Sequence, residues 1–267
     1  MKRSRDSRRF IAQHGFSLLI ETPDEERVIF DTGPSPVIIS QNLELLGLEP
    51  ADLNLVFISH GHRDHAGGLA PFIEAGIPVH CAPDTFMGER FVENDGKLVT
   101  VSCDTELLES INSHGFIASN DFRELVPGIH ASGLVPRNPE FENTCPFWKK
   151  EGGAFVKDRI LDEQSLYLDT EAGVVVICGC SHAGVLNVVA HARKLIDRKI
   201  ILLMGGFHLG GASLETLLKT ADALRKEGVK HIAPMHCSGF EAMRVFSDIF
   251  EHFELMGVGD AIQVDQI

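Results

Sequence analysis

Four apolar runs of this sequence end in glycine and histidine, and this repeated pattern constrains the fold more than any other feature. The runs have the length of buried strands, and segments with helical spacing of apolar residues lie between them. Alternation of strands and helices predicts an α/β fold, in which the carboxyl ends of neighbouring strands share one edge of a sheet and form a ligand site. The four ends read Ser59-His60-Gly61-His62-Arg63-Asp64-His65, Gly179-Cys180-Ser181-His182-Ala183-Gly184, Gly205-Gly206-Phe207-His208 and Pro234-Met235-His236-Cys237-Ser238-Gly239.

The same spacing predicts regular elements in the first and last thirds of the chain. The predicted strands are 16–21, 27–30, 53–59, 78–81, 165–168, 174–178, 200–204 and 231–234. The predicted helices are 37–46, 69–75, 185–196, 214–227 and 240–250. The middle, about residues 84–164, has scattered Gly, Pro and Asn and is interpreted as an insertion in a single domain that spans residues 1–267.

The excess of acidic residues limits the partners of this chain. Its 267 residues include 38 Asp and Glu against 24 Lys and Arg, a formal net charge of −14. Such a surface repels nucleic acid and anionic membranes, and no apolar run reaches the roughly 18 residues of a spanning helix. The basic start, residues 2–9, is not followed by the apolar run of an export signal. Six cysteines without a CxxC pair do not indicate a disulfide scaffold, so we expect a cytoplasmic protein.

Three imidazoles and a carboxylate fall within six residues at the first strand end. His60 and His62 are two residues apart in an extended segment, so both side chains can face one metal ion. Asp64 and His65 follow a turn and can bind a second ion. The spacing predicts a centre with up to two divalent ions, Zn²⁺ or Mn²⁺.

The other three strand ends supply further candidate ligands. His182 and His236 each follow a strand beside a glycine, and we predict that both bind metal. Cys180 is either a thiolate ligand of zinc or a small buried hydrophobic residue. His208 is a hydrogen-bond donor close to the ligands, a contact for a substrate phosphate, or the residue that starts a helix.

The HxHxDH motif, His60 to His65, resembles the signature of the metallo-β-lactamase superfamily. An early Asp in a strand-end turn, Asp31, and a last His, His236, also occur in the order of that superfamily. The resemblance implies an αβ/βα sandwich, with two mixed sheets packed face to face and helices outside. Its motifs extend over nearly the whole chain and resemble a subfamily of metal-dependent hydrolases that includes the archaeal dihydropterin-ribofuranosylaminobenzene phosphate synthase of methanopterin biosynthesis.

One position departs from the pattern of the superfamily. Many members have a bridging Asp after a strand and a glycine, where this chain has Cys180. The resemblance then implies that His182 or His130 supplies the middle His of the site. We interpret Asp31 as a structural carboxylate whose hydrogen bonds orient the ligand loop.

The predicted centre indicates hydrolysis without a protein nucleophile. Two divalent ions a few ångströms apart can activate water and polarise an ester or phosphoryl oxygen. The sequence has no GxSxG elbow that would supply a serine nucleophile. Asp64 is expected to bind metal and hold the attacking water, and His208 to donate to the leaving group or bind a phosphate oxygen. The first hypothesis is therefore a metal-dependent hydrolase of a small anionic phosphoester or related ester.

Two other functions are compatible with these residues. The resemblance also implies a transferase that joins a dihydropterin methyl diphosphate to an aryl ribose phosphate. A binding protein without turnover is the third hypothesis, and the complete ligand set disfavours it.

A lid is predicted within the insertion. The only tryptophan, Trp148, lies near two phenylalanines in a Pro-rich stretch without helical or strand periodicity. These aromatic residues either fill a small core under a loop or cover the site, where Trp148 would stack on a planar substrate. Arg137, Lys149 and Lys150 are the local cations that would bind an anionic substrate.

Overall fold

The structure is a computed structural model that describes residues 9–142 and 146–266. Most of the basic start of the sequence, residues 143–145 of the predicted irregular stretch, and residue 267 lie outside the described residues. The strands are β1 Leu18–Glu21, β2 Arg27–Phe30, β3 Leu55–Phe57, β4 Val79–Cys81, β5 Arg90–Asn94, β6 Lys97–Thr100, β7 Ile117–Ala118, β8 Arg123–Val126, β9 Ile129–Ala131, β10 Phe147–Glu151, β11 Ala154–Lys157, β12 Leu166–Thr170, β13 Gly173–Cys178, β14 Ile200–Gly206, β15 His231–Met235 and β16 His252–Phe253. The helices are α1 Pro36–Leu45, α2 Arg63–Ala66, α3 Ala70–Glu74, α4 Thr105–His114, α5 Val185–Leu195, α6 Leu214–Lys226 and α7 Phe240–Ile249.

The described residues form two compact units. The first unit comprises residues 11–120 and 146–164, and the second comprises residues 9–10, 121–142 and 165–266. The middle of the chain, interpreted above as one insertion, therefore contributes to both units. Across the described ranges, no helix combines the length and the apolar character needed to cross a lipid bilayer.

The first unit contains a five-stranded sheet with the order β1-β2-β3-β4-β7. Strands β1 and β2 form an antiparallel hairpin, and the remaining neighbours are parallel. Helices α1, α3 and α4 pack their apolar residues on this sheet, because each needs to bury one apolar stripe. The resulting core includes Ile29, Ile39, Leu43, Val56, Ile58, Phe72, Val79, Leu107 and Ile111.

A second sheet of the first unit is antiparallel, with the order β11-β10-β5-β6. The interpretation of residues 90–100 and 147–157, which include Trp148, as irregular is therefore wrong, whereas residues 132–142 of the middle lie in no strand or helix. Two tight turns explain the sheet: Asp95 and Gly96 join β5 to β6, and Gly152 and Gly153 join β10 to β11, all with positive φ. Asp-Gly and Gly-Gly loops of two residues are typical of hairpins, so these dipeptides are the local sequence signal for the sheet.

The second unit contains a seven-stranded mixed sheet with the order β16-β15-β14-β13-β12-β9-β8. Strands β13 to β16 are parallel, so the carboxyl ends of β13, β14 and β15 lie at one edge. Helices α5, α6 and α7 pack on this sheet. The core that they form includes Val174, Val176, Val188, Ala192, Leu203, Leu217, Ala221, Leu224, Ile232, Val245 and Phe246.

All strands and helices predicted outside the middle of the chain are confirmed, and their ends differ from the observed ends by no more than two residues. Their apolar spacing is local, and the burial of each element follows it. For example, all six residues of β13 are buried, as expected of a continuous apolar run in a parallel sheet.

Candidate functional site

Among the described residues, side chains of the types that bind metal ions cluster in both units. In the first unit, His60, His62 and His65 lie on the connection from β3 to α2. His62 is the extended residue that precedes α2, with φ −75° and ψ 143°. The three imidazoles are at most 3% exposed, although histidine is polar. Buried polar groups need partners, so this cluster requires a specific arrangement of hydrogen bonds or ligands.

The spacing of the imidazoles fits a shared metal ion. His60 Nε2 lies 3.0 Å from His62 Nδ1, and the ring centroids of His60 and His65 are 4.2 Å apart. In a tetrahedral zinc site with bonds of ~2.0 to 2.1 Å, two ligand nitrogens are roughly 3.3 Å apart. The nitrogens of His60 and His62 are therefore spaced like two ligands of one ion.

Asp31 organises this group from a fully buried position. Its Oδ1 accepts a hydrogen bond from the Ser59 amide at 2.7 Å, and its Oδ2 accepts one from the Ser59 hydroxyl at 2.8 Å. The same Oδ2 lies 2.6 Å from His65 Nδ1. Burial raises the pKa of Asp31, while His65 and the hydrogen bonds from Ser59 oppose the shift. Asp31 thus accepts the hydrogen bonds that were predicted for a structural carboxylate beside the loop that carries His60 and His65.

These hydrogen bonds also determine which ring nitrogen of each histidine is available. The Ser59 hydroxyl has one proton, which it donates to Asp31, so it accepts a hydrogen bond from His60 Nδ1 at 2.9 Å. His65 Nδ1 likewise donates to the Asp31 carboxylate. Both imidazoles therefore keep Nε2 as the acceptor, which is the form that binds a metal ion.

Asp64 lies beside this group and is partly exposed. Its Oδ2 is 3.9 Å from His65 Nε2 and 3.5 Å from His14 Nδ1. Asp64 therefore presents a carboxylate oxygen next to the imidazoles, where a ligand or a water-binding group is expected. His14 was not among the candidate site residues predicted from the sequence, because nothing in the sequence near His14 indicated a role.

The second group lies at the shared carboxyl edge of β13, β14 and β15. Cys180 and His182 follow β13, His208 follows β14, and His236 and Cys237 follow β15. The candidate ligand atoms of Cys180, His182 and His208 lie within 4.8 Å of one another, as do those of Cys180, His236 and Cys237. The parallel strand order thus brings together residues that are far apart in the sequence, as predicted for this edge.

The backbone of this edge is unusual in the same places. Ser181, His208 and His236 have positive φ values of 60°, 50° and 51°. Non-glycine residues rarely adopt this conformation, and it is concentrated at functional sites. The left-handed residues turn the chain sharply as it leaves each strand, so that the adjacent side chains face the edge.

Glycine is required where β14 passes its neighbours. A Cβ on Gly205 would lie 2.0 Å from the Cys178 carbonyl oxygen, and one on Gly206 would lie 2.7 Å from Cys237 Sγ.

Burial opposes ionisation of the Cys237 thiol, but hydrogen bonds with Cys180 and His208 and the charge of His236 hold its pKa well below the usual range. Cys237 was missed in the sequence, although it directly follows His236 in the same motif.

The donor types in these groups fit a zinc-like ion. Imidazole nitrogen suits Zn, Cu, Fe and Ni, and thiolate sulfur selects Zn and other soft ions, whereas Mg²⁺ and Ca²⁺ prefer oxygen ligands. The imidazoles of the first group and the imidazoles and thiols of the second group are therefore suited to a divalent transition-metal ion.

His130 has a different environment from the histidines at the strand ends. Its ring stacks on Phe122 with centroids 5.2 Å apart and an interplanar angle of 7°, and its Nε2 lies 3.9 Å from Glu124 Oε1. Among the described residues, His182 shares a candidate metal-binding group with Cys180, and His130 belongs to none of these groups.

Trp148 is part of β10 and is half-buried. Its indole Nε1 donates to Glu93 Oε2 at 3.1 Å, and the Lys157 amine lies 3.8 Å from the ring centroid. One face of the indole is thus in cation–π contact with a lysine of the neighbouring strand.

The three cations predicted to bind the substrate each pair with a carboxylate. Arg137 Nη1 lies 2.9 Å from Glu142 Oε1, and the Lys149 amine lies 2.6 Å from Glu151 Oε1. The Lys150 amine lies 3.0 Å from Glu89 Oε2. An anionic ligand would therefore have to compete with these carboxylates for the cations.

Comparisons with known proteins agree with these features. A family model described as the metallo-β-lactamase superfamily matches residues 12–95. A curated 7,8-dihydropterin-6-methyl-4-(β-D-ribofuranosyl)-aminobenzene-5'-phosphate synthase from Methanocaldococcus jannaschii is 34% identical, over 95% of this chain and 91% of the relative. An uncharacterized protein of the same organism is 33% identical, over 91% of this chain and 90% of the relative.

A solved structure is similar over almost the whole chain. It is the crystal structure of Tm1679, a metal-dependent hydrolase of the β-lactamase superfamily, with a TM-score of 0.79 and 29% sequence identity. The alignment covers 96% of this chain and 93% of that chain.

Proposed function

Because this chain belongs to the metallo-β-lactamase superfamily, we propose that it is a metal-dependent hydrolase of a small anionic phosphoester or related ester. The predicted fold class is confirmed, since the fold matches a member of that superfamily with a TM-score of 0.79. The single observation that carries the function is the buried group of His60, His62 and His65, with Asp31 holding His65 in its metal-binding form.

We extend this proposal to a set of metal ligands. Up to two divalent ions, Zn²⁺ or Mn²⁺, would be bound by His60, His62, Asp64, His65, His182, His236 and Cys180. The nitrogen spacing in the first unit and the mixed imidazole and thiol donors in the second unit support this set. Cysteine among the donors favours zinc over manganese.

Such ions would supply Lewis acidity and would lower the pKa of a water molecule toward ~7. The residues of the chain provide the rest of the chemistry. The Asp64 carboxylate, which is partly exposed, accepts a hydrogen bond from the attacking water and orients it. His208 donates a proton to the leaving group or a hydrogen bond to a phosphate oxygen. Asp31 keeps the proton of His65 on Nδ1 throughout, so that the imidazole does not change its tautomer.

The substrate is proposed to be a small anion of the cytoplasm. A net charge of −14 disfavours nucleic acid and membrane partners and leaves recognition to local groups. Arg137, Lys149 and Lys150 would bind the anion by exchanging their carboxylate partners for it, and Trp148 would stack on a planar part of the substrate.

A second candidate function is favoured by one specific observation, the 34% identity to a synthase over 95% of this chain. In that case the enzyme is a transferase that joins a dihydropterin methyl diphosphate to an aryl ribose phosphate. Diphosphate leaves, and the aryl ribose phosphate takes the place of water as the attacking group. The same donor set would serve both reactions, because both require stabilisation of an anionic leaving group.

One experiment separates these functions. Protein purified without chelator is analysed for metal and assayed in parallel for phosphodiester cleavage and for diphosphate release from the pterin substrate pair. Cleavage supports the hydrolase, and diphosphate release that requires both substrates supports the transferase. In His60→Ala and His236→Ala proteins, metal content and turnover should both fall. Wild-type metal content in both variants would refute the ligand set, and bound metal without either turnover would indicate a binding protein.

A further inference from the structure

The loop that carries His60 is held by a segment about a hundred residues away in the sequence. Asp162 Oδ2 accepts a hydrogen bond from the Gly61 amide at 3.1 Å, and the Gln164 amide donates to the Ser59 carbonyl at 2.9 Å. The two hydrogen bonds lie on either side of His60 along the chain. Residues 162–164, called here the bracing segment, therefore fix the backbone at both neighbours of this ligand.

Gly61 cannot be held by side-chain packing. It has no side chain, and a Cβ at this position would lie 1.7 Å from the Thr85 carbonyl oxygen. Glycine also has the greatest backbone freedom of any residue. The hydrogen bond that the Gly61 amide donates to Asp162 is thus an important restraint on the orientation of the Gly61 peptide.

Asp162 is itself held by a buried arginine. Arg90 Nη1 lies 2.8 Å from Asp162 Oδ1, and the two side chains are 6% and 0% exposed. One carboxylate oxygen of Asp162 thus pairs with Arg90, and the other accepts the hydrogen bond from the Gly61 amide. Burying a charged carboxylate is costly unless it is paired, so Arg90 offsets the cost of placing this charge beside the loop. Arg90 also lies near Asp158, with Nε 3.5 Å from Oδ2.

The orientation of the Gly61 peptide matters because it links the two candidate ligands. Rotation about φ or ψ of Gly61 moves the His62 imidazole relative to that of His60, and their nitrogens are only 3.0 Å apart. A metal site depends on ligands that are held close to the required geometry before the ion binds. Residues that hold ligands in place change metal affinity without touching the ion.

On the basis of the metal-binding role proposed above for His60 and His62, we propose that Asp162, paired with Arg90, is a positioning residue that presets these two imidazoles for one metal ion. Asp162 acts only through the Gly61 amide and is not a catalytic residue. Both Arg90 and Asp162 lie in the middle of the chain, so the part of the sequence interpreted as an insertion also supplies the residues that hold the Gly61 peptide.

Asp162→Ala and Asp158→Ala are a matched pair of variants. Each removes one buried carboxylate from Arg90, and both should lose stability, but Asp162 accepts a hydrogen bond from the Gly61 amide whereas Asp158 accepts one from the Ile160 amide. Titration with Co²⁺, followed by its visible absorption, should show affinity ~10- to 100-fold weaker in Asp162→Ala. Asp158→Ala should retain the affinity and the spectrum of the wild type. Equal affinities for the two folded variants would overturn the proposal.

Amide hydrogen exchange of Gly61 in metal-free protein provides a readout that does not depend on metal binding. Exchange should be faster in Asp162→Ala than in Asp158→Ala and wild type, and equal rates would contradict the positioning role. If the wild type binds no Co²⁺, the proposed function fails, while faster Gly61 exchange would still show that Asp162 restrains the loop.

If Asp162→Ala does not fold, Asp162→Asn replaces it. Asparagine has one side-chain oxygen and cannot serve Gly61 and Arg90 together. Its Co²⁺ affinity should therefore be weaker and its Gly61 exchange faster than in the wild type. Both changes should be smaller than those that a complete loss of the acceptor would cause. Wild-type values for both would overturn the proposal.

Discussion

At the scale of single residues, the position of one proton decides whether an imidazole can bind metal. His65 donates its Nδ1 proton to Asp31, and His60 donates its Nδ1 proton to Ser59, which donates in turn to Asp31. A single buried carboxylate thus determines the tautomers of two candidate ligands. Metal-binding histidines commonly have such a carboxylate or carbonyl partner.

Replacing Asp31 with Asn tests this role. If the Asn oxygen keeps the hydrogen bond from the Ser59 amide, the amide nitrogen takes the place of Oδ2 and faces His65 Nδ1. An NH₂ group cannot accept the His65 proton, so the ring tautomer that offers Nε2 loses its stabilisation. Zn²⁺ affinity, measured by competition with a chromophoric chelator, should fall by ~10- to 100-fold.

The control for this prediction is Asp24→Asn, which makes the same chemical change at an exposed position. It should leave the Zn²⁺ affinity unchanged. Wild-type affinity in Asp31→Asn would show that Asp31 serves only the stability of the loop.

At the scale of elements, helices and strands present the site residues at their ends, so the stability of an end matters. Helix α4 begins after Asp104, whose side chain accepts a hydrogen bond from the Leu107 amide at 2.9 Å. An N-cap of this kind satisfies one of the amides that have no partner within the helix. Leu107 and Ile111 of the same helix belong to the core of the first unit.

Asp104→Ala should therefore lower the free energy of unfolding by ~1 kcal/mol, because the capped amide loses its acceptor. Urea denaturation measures the change. Asp104→Ser keeps a side-chain oxygen at the N-cap and should recover most of the loss. An equal loss in both variants would mean that the cap hydrogen bond does not contribute.

The contact between β12 and α5 predicts a dependence of stability on pH. His191 Nδ1 lies 3.3 Å from the Tyr167 hydroxyl, and burial lowers the pKa of His191, with a smaller contribution from Lys194. The unfolded chain has the ordinary pKa of about 6.5, so it binds a proton at a higher pH than the folded chain does. The contribution of neutral His191 is complete above pH ~6.5 and is lost as pH falls from there through the lowered folded pKa.

His191→Gln should accordingly reduce the loss of unfolding free energy on acidification, relative to the wild type. Denaturation curves at a series of pH values from about 7 to about 5 measure the difference. A parallel profile for His191→Gln would show that His191 is not responsible for the loss.

At the scale of the whole molecule, bound metal should contribute to the stability of the folded state. The ligands of a site are assembled only in the folded chain, so ions that bind there shift the folding equilibrium by mass action. The three imidazoles of the first group are buried at the end of β3, in a position where apolar side chains are more usual.

Removing metal with a chelator should therefore lower the melting temperature, and adding Zn²⁺ in excess should restore it. At a free ion concentration 100 times the dissociation constant, the expected stabilisation is about 2.7 kcal/mol. Mg²⁺ should not restore it, because it prefers oxygen ligands. His60→Ala protein should not respond to Zn²⁺, and a full response in that variant would contradict a role for His60.

The sequence by itself determined the elements that depend on near neighbours. Strand β13 and helix α5 are confirmed because apolar spacing, burial and glycine punctuation act over a few residues. The motifs that follow β3, β13, β14 and β15 were recognisable for the same reason, since each combines a strand end, a glycine and a histidine within a few positions. The family resemblance was carried by these local motifs.

The tertiary structure alone decided how residues distant in the sequence support the site. Asp31 meets His65 across 34 residues, and Asp162 meets Gly61 across 101 residues. The antiparallel sheet of the first unit also joins β5 to β10, which are separated by more than fifty residues of chain. No local pattern encodes such pairs, because a carboxylate in a loop has the same sequence signature whether it is solvated or buried against an arginine. Burial and long-range hydrogen bonding, which appear only in the folded chain, separate these two cases.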